Sequence, residues 1–186
     1  MRHLITLFLA LSLTTTAALA QILTGSVSNL GNENIDLTVS VDVANNSVTL
    51  TMEGPSNKWF AVGFGSSSTS MSGAYTTHVS SATFQMNERR HGGNNQGTAL
   101  SSSGAVTSDV TSGGRRTVIF TRSRVGLTSN YYTFPSAAGS ISIIWANGNS
   151  LSYGYHGNNR GYATLTLSEP CPPCLLYTSP SPRDDR

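Results

Sequence analysis

Two side chains, Met71 and His156, together offer metal chemistry. Met71 lies in GSSSTSMSGAY, a Ser/Gly-rich loop directly after the apolar run WFAVGFG (59–65). A core methionine occupies an apolar alternation, as Met52 does; one in a polar loop needs another reason. His156 closes LSYGYH (151–156), just before GNNRG. With 151–156 read as a strand, Ser152 and Gly154 share the face of His156, and Leu151, Tyr153 and Tyr155 take the other. Small neighbours beside an imidazole leave room for something broad and flat. A thioether and a neutral imidazole are donors suited to a transition metal.

Other chemistries lack their residues. Past residue 20 the chain keeps only His78, His91 and His156. There is no G-x-S-x-G nucleophile elbow and no H-E-x-x-H pair. The carboxylates are few and scattered, without the flanking pair that glycoside hydrolysis requires. A blue-copper site needs a cysteine between two histidines, and both cysteines, Cys171 and Cys174, lie beyond the last expected strand. Their CPPC motif has proline at both middle positions and no helix start to stabilise a thiolate, so it reads as structural rather than redox-active. Autonomous hydrolysis and copper chemistry are therefore disfavoured.

The elements that must position Met71 and His156 are strands. Ile35, Leu37, Val39, Val41 and Val43 alternate with polar residues; after a turn at Asn45-Asn46, Val48, Leu50 and Met52 alternate back. Residues 35–53 thus predict a β-hairpin. The run 59–65 fits a strand covered on both faces. Further strands are expected at 76–84, 103–110, 116–122, 140–146, 151–156 and 161–167, separated by Gly/Ser/Asn clusters. Trp59, Phe60, Phe64 and Trp145 read as core. The expected fold is all-β, an immunoglobulin-like antiparallel sandwich of about nine to eleven short strands.

Boundaries follow from composition. Residues 1–20 read as a signal peptide: Arg2 and His3, the apolar run Leu4 to Leu13, and Ala18-Leu19-Ala20 as cleavage site, placing the mature start at Gln21 and the protein outside the cell. The apolar run is shorter than the ~18 residues of a membrane span. Residues 21–168 form the sandwich. The 169–186 tail is Pro/Cys-containing, and from about Leu175 it resembles adapter read-through at a truncated end. Net charge is only +2 and charged residues make up 11%, which argues against a nucleic-acid partner. The pairs Arg89-Arg90 and Arg115-Arg116 read as solvated loop tips, and Asn45-Asn46-Ser47 is a glycosylation sequon at an accessible turn.

The strand W-x-A-V-G-F-G, the methionine loop before G-A and the late H-x-x-x-R-G resemble the haem-binding type of the DOMON family. That family includes the cytochrome domain of cellobiose dehydrogenase and the N-terminal domain of dopamine β-monooxygenase. The resemblance covers roughly residues 24–168. It implies haem b held at one end of the sandwich between an axial methionine and an axial histidine, which fall on Met71 and His156. Arg160, in the same motif, faces either a haem propionate or the sandwich surface. Two features depart from the family: Tyr75 stands where an acidic residue often follows G-A, and the 85–104 loop is particular to this chain.

The implied function is electron transfer with an unidentified redox protein or small-molecule reductant, a redox or binding domain rather than an autonomous enzyme. His78, in an expected strand, is the rival ligand for a bis-histidine site with His156. His91, in RRHGGNN, reads as solvent-exposed. The alternative is an extracellular carbohydrate-binding or interaction module without haem, using exposed tyrosines such as Tyr131, Tyr132 and Tyr162.

Overall fold

A computed structural model of the protein describes residues 21–66, 70–93 and 95–170. The signal-peptide reading of 1–20 and the CPPC tail fall outside the described residues. Two antiparallel sheets face each other. One runs in the order β1 (Ile22–Leu30), β2 (Ile35–Asp42), β3 (Ser47–Pro55), β9 (Arg115–Ser123), β8 (Gly104–Ser112). The other runs β11 (Arg160–Leu167), β10 (Gly139–Asn147), β4 (Phe60–Phe64), β5 (Tyr75–Val79), β6 (Asn87–Arg90), β7 (Thr98–Ala99). A bridge between Thr24 and Ser168 ties their edges together. This is the expected all-β sandwich.

Alternation sets the core. In β2 and β3 the register pairs Leu37 with Met52 and Val39 with Leu50, and β9 places Phe120 beside Leu50 and Val118 beside Met52. All six are buried. They meet Phe60, Val62, Phe64, Ile143 and Leu165 of the other sheet in one apolar cluster. The hairpin turn carries Asn46 at φ +50°, a left-handed conformation that asparagine tolerates better than most residues. In β4 the outward residues Ala61 and Gly63 are as hidden as the core-facing ones. Something must cover them.

Several expectations change. Residues 151–156 form no strand, because β10 is already paired on both sides, with β4 and with β11. That stretch crosses the outer face of the six-stranded sheet as a loop. The strand expected at 76–84 stops at Val79, and Phe84 adopts φ +51° beyond it. Three strands lack the expected signal: β1 interrupts its alternation with Gly25, β6 is the wholly polar NERR, and β7 is only two residues long.

The arginine pairs are not loop tips. Arg115 lies in β9 and pairs with Glu53 and Asp36. Arg116 is buried and grips Asp109 through two bonds of 2.8 and 2.7 Å. It also donates to the carbonyls of Ser80 and Ala82. Tyr75 is wholly buried, and its hydroxyl donates to the equally hidden Glu88. Burial pushes that phenol well above its ordinary range.

Candidate functional site

A cleft of about 400 Å³, counted with the open solvent at its mouth, lies on the outer face of the six-stranded sheet. Its floor comes from strand alternation. Ala61 and Gly63 in β4, Thr76 in β5, and Ile144 and Ala146 in β10 point away from the core, opposite Phe60, Val62, Tyr75 and Ile143. A Cβ on Gly63 would sit 2.7 Å from Ile144 Cγ1 and 2.9 Å from Thr76 Oγ1. The floor is thus flat because its central residues are small. These floor residues, rather than Ser152 and Gly154, create the open space. Thr76 Oγ1 is buried there without a hydrogen-bond partner.

Met71, His156 and Arg160 all line this cleft. The Met71 turn is closed by Ala74 N–H to the Met71 carbonyl at 3.0 Å, with Gly73 at φ +76°. It is tied to the β6 side of the sheet by Gly73 N–H to His91 O at 2.7 Å and His91 N–H to Ala74 O at 3.0 Å. His156 begins a second turn, closed by Asn159 N–H to its carbonyl at 3.0 Å, with Gly157 at φ +60°. His156 Nδ1 lies 2.9 Å from the Gly157 carbonyl, and Arg160 Nη1 donates to the same oxygen. A carbonyl only accepts, so Nδ1 carries the proton and Nε2 of the neutral ring keeps its lone pair.

The loop carrying His156 is anchored by stacked rings. Trp59 packs on Tyr153 with centroids 4.8 Å apart, and Tyr153 stacks on His78 at 3.9 Å and 15°. Arg89 caps Tyr153 at 5.3 Å. Gly148 lets the loop pass the Trp59 indole: a Cβ there would lie 2.0 Å from Nε1. His78, the rival ligand, is therefore covered by Tyr153 and does not line the cleft. Neither of its ring nitrogens has a partner, and burial drives its pKa down to about 3.

That depressed pKa has a definite sign. The unfolded chain protonates His78 near its ordinary 6.5 while the folded protein refuses the proton, so stability is held above that pH and lost as pH falls toward 3. Denaturant unfolding between pH 7 and 4 is expected to show a slope approaching about 1.4 kcal/mol per pH unit from this residue. His78→Phe, which keeps the stack on Tyr153 and cannot titrate, should remove that share. An unchanged slope would refute it.

Two further expectations are corrected. His91 is buried at 3% exposure and lines the cleft. Its Nδ1 lies 2.9 Å from the Asn95 carbonyl, and burial lowers its pKa. Its polar neighbours gave no sequence signal; only its pairing with the Met71 turn brings it inward. Of the tyrosines considered for a sugar surface, Tyr131 is buried and Tyr132 half-buried against Phe64, while Tyr162 is exposed. Phe60, Phe64 and Trp59 are buried as expected, but Trp59 and Trp145 also line the cleft.

Comparison with known proteins adds the fold. No protein-family model matches the chain, and neither does any curated protein. Among solved structures, the cytochrome domain of Myriococcum thermophilum cellobiose dehydrogenase aligns with TM-score 0.57 at 13% identity, over 78% of this chain and 82% of that one. The cytochrome b domain of pyranose dehydrogenase from Coprinopsis cinerea aligns with TM-score 0.54 at 12% identity, over 73% of this chain and 77% of that one. At such identities the likeness is one of fold.

Proposed function

We propose that the protein is an exported, haem b-binding electron-transfer domain in which Met71 and His156 supply the two axial donors. The observation that carries this reading is that two separate turns bring a thioether and a lone-pair imidazole into one cleft, over a floor stripped to Ala61, Gly63 and Ala146. A floor without bulk leaves room for the edge of a macrocycle held between the two turns. The two solved structures sharing the fold, both cytochrome domains, support the same reading.

What haem supplies is an iron that takes up and gives back one electron, at a potential that a methionine–histidine pair raises. The protein's residues do the rest. Met71 and His156 would hold the iron through the thioether and Nε2, and with both engaged no position would remain for dioxygen or peroxide. The Gly157 carbonyl fixes the tautomer and aim of His156, the outer-shell role that metal-bound histidines require. Arg160, exposed at the rim and held by the same carbonyl, faces an acidic edge group such as a propionate. The partner is a redox protein or a small-molecule reductant.

The test is haem titration into residues 21–170 followed by absorption. A Soret band, with sharp α and β bands on reduction, is expected. Gly63→Leu, which would raise a side chain from the floor beside Ile144 and Thr76, should weaken binding roughly tenfold or more, about 1.4 kcal/mol. A colourless wild-type protein would overturn the reading, as would a Gly63→Leu variant that binds like the wild type.

A further inference from the structure

We propose that His91 is a reserve axial donor, held beside Met71 so that it can take the iron position on that side when the thioether is absent. This rests on the haem reading above. Three observations carry it. First, His91 lines the same cleft as Met71 and His156, although it is 3% exposed. It is thus a buried residue of the site rather than a solvated one.

Second, His91 is prepared in the same way as His156. Each has Nδ1 at 2.9 Å from a backbone carbonyl, of Asn95 and Gly157 respectively. Each neutral ring therefore carries its proton on Nδ1 and offers Nε2 as the donor atom. Gly97, at φ +67°, brings its loop so close that a Cβ there would lie 3.0 Å from His91 Nδ1. Gly97 thus packs close against the proton-bearing edge of the ring.

Third, His91 is attached to the Met71 turn and not to the His156 turn. Its carbonyl accepts from Gly73, its N–H donates to Ala74, and Ala74 donates to the Met71 carbonyl. The imidazole and the thioether spring from one small hydrogen-bonded unit. His78, by contrast, lies beneath Tyr153 and is not available for this role.

The experiment compares haem-loaded wild type, Met71→Ala, His91→Ala and the double variant by absorption and electron paramagnetic resonance, with potentiometry. Met71→Ala is expected to stay six-coordinate and low-spin with bis-imidazole signals, and its midpoint potential should shift negative. His91→Ala alone should keep the wild-type spectrum. The double variant should become high-spin and five-coordinate, and added imidazole should restore the low-spin form, which shows that the fold survives. A high-spin Met71→Ala protein would overturn the inference, as would a double variant that remains low-spin without added imidazole. A wild-type chain that takes up no haem would instead overturn the parent reading, and this one with it.

Discussion

Replacing His156 with alanine is expected to weaken haem binding by more than about 100-fold, since outer-shell partners of metal ligands alone are worth ~10–100-fold. The ring is oriented by the carbonyl of Gly157 and by the Tyr155 ring, 5.5 Å away at 28°, within a turn whose Gly157 has φ +60°. Removing the imidazole leaves that turn's backbone bond from Asn159 intact, so the loss is one of ligation rather than of fold. His91 does not restore the lost bond, because its backbone belongs to the Met71 turn. Absorbance titration checks this directly: a His156→Ala chain with wild-type affinity and a six-coordinate spectrum would remove His156 from the site.

The second large effect concerns stability. Asp109→Ala is expected to cost about 3–5 kcal/mol, the range for breaking one partner of a buried ion pair. Arg116 and Asp109 are 6% and 4% exposed and bonded twice; the Phe84 N–H also donates to Asp109. Alanine leaves the guanidinium with only the carbonyls of Ser80 and Ala82. For a domain of this size a drop of roughly 6–20 °C in melting temperature follows. Replacing the pair together, as Asp109→Leu with Arg116→Met, should cost much less. If the single and double changes cost the same, an unpaired guanidinium is not what makes the single change costly. The Arg116 hydrogen bonds also keep the Asp109 carboxyl below its ordinary 3.8. The pair's contribution is therefore full above that pH and lost as pH falls through the lowered value.

The sandwich was legible because its central strands obey period two. Val39, Leu50 and Phe120 declare their faces through their polar neighbours, and the unbroken apolar run of β4 announces cover on both sides. The edges were not legible. β6 is held by pairing with β5 and by Glu88 inside the core, neither of which NERR displays as hydrophobicity. Met71 stood out because a methionine in a Ser/Gly loop contradicts ordinary packing, and His156 chiefly through the resemblance of its H-x-x-x-R-G motif; the structure brings both to one cleft.

What sequence could not give was the third dimension of that cleft. Residues 151–156 looked like a strand because Leu151, Tyr153 and Tyr155 alternate. Yet Tyr153 is drawn onto His78 and Trp59, and Tyr155 is left exposed. His91 looked like a solvated residue because burial there depends on long-range pairing with Ala74. Arg116 looked like a turn charge because its partner Asp109 sits on the neighbouring strand.

Proton NMR of the reduced, haem-loaded chain tests the Met71–His156 pairing most directly. A methionine methyl bound to diamagnetic ferrous haem lies over the ring and is shifted far upfield. One such methyl resonance is predicted, absent in Met71→Ala and unchanged in Met52→Leu. A spectrum with no upfield methyl, or one that persists in Met71→Ala, would contradict axial ligation by Met71.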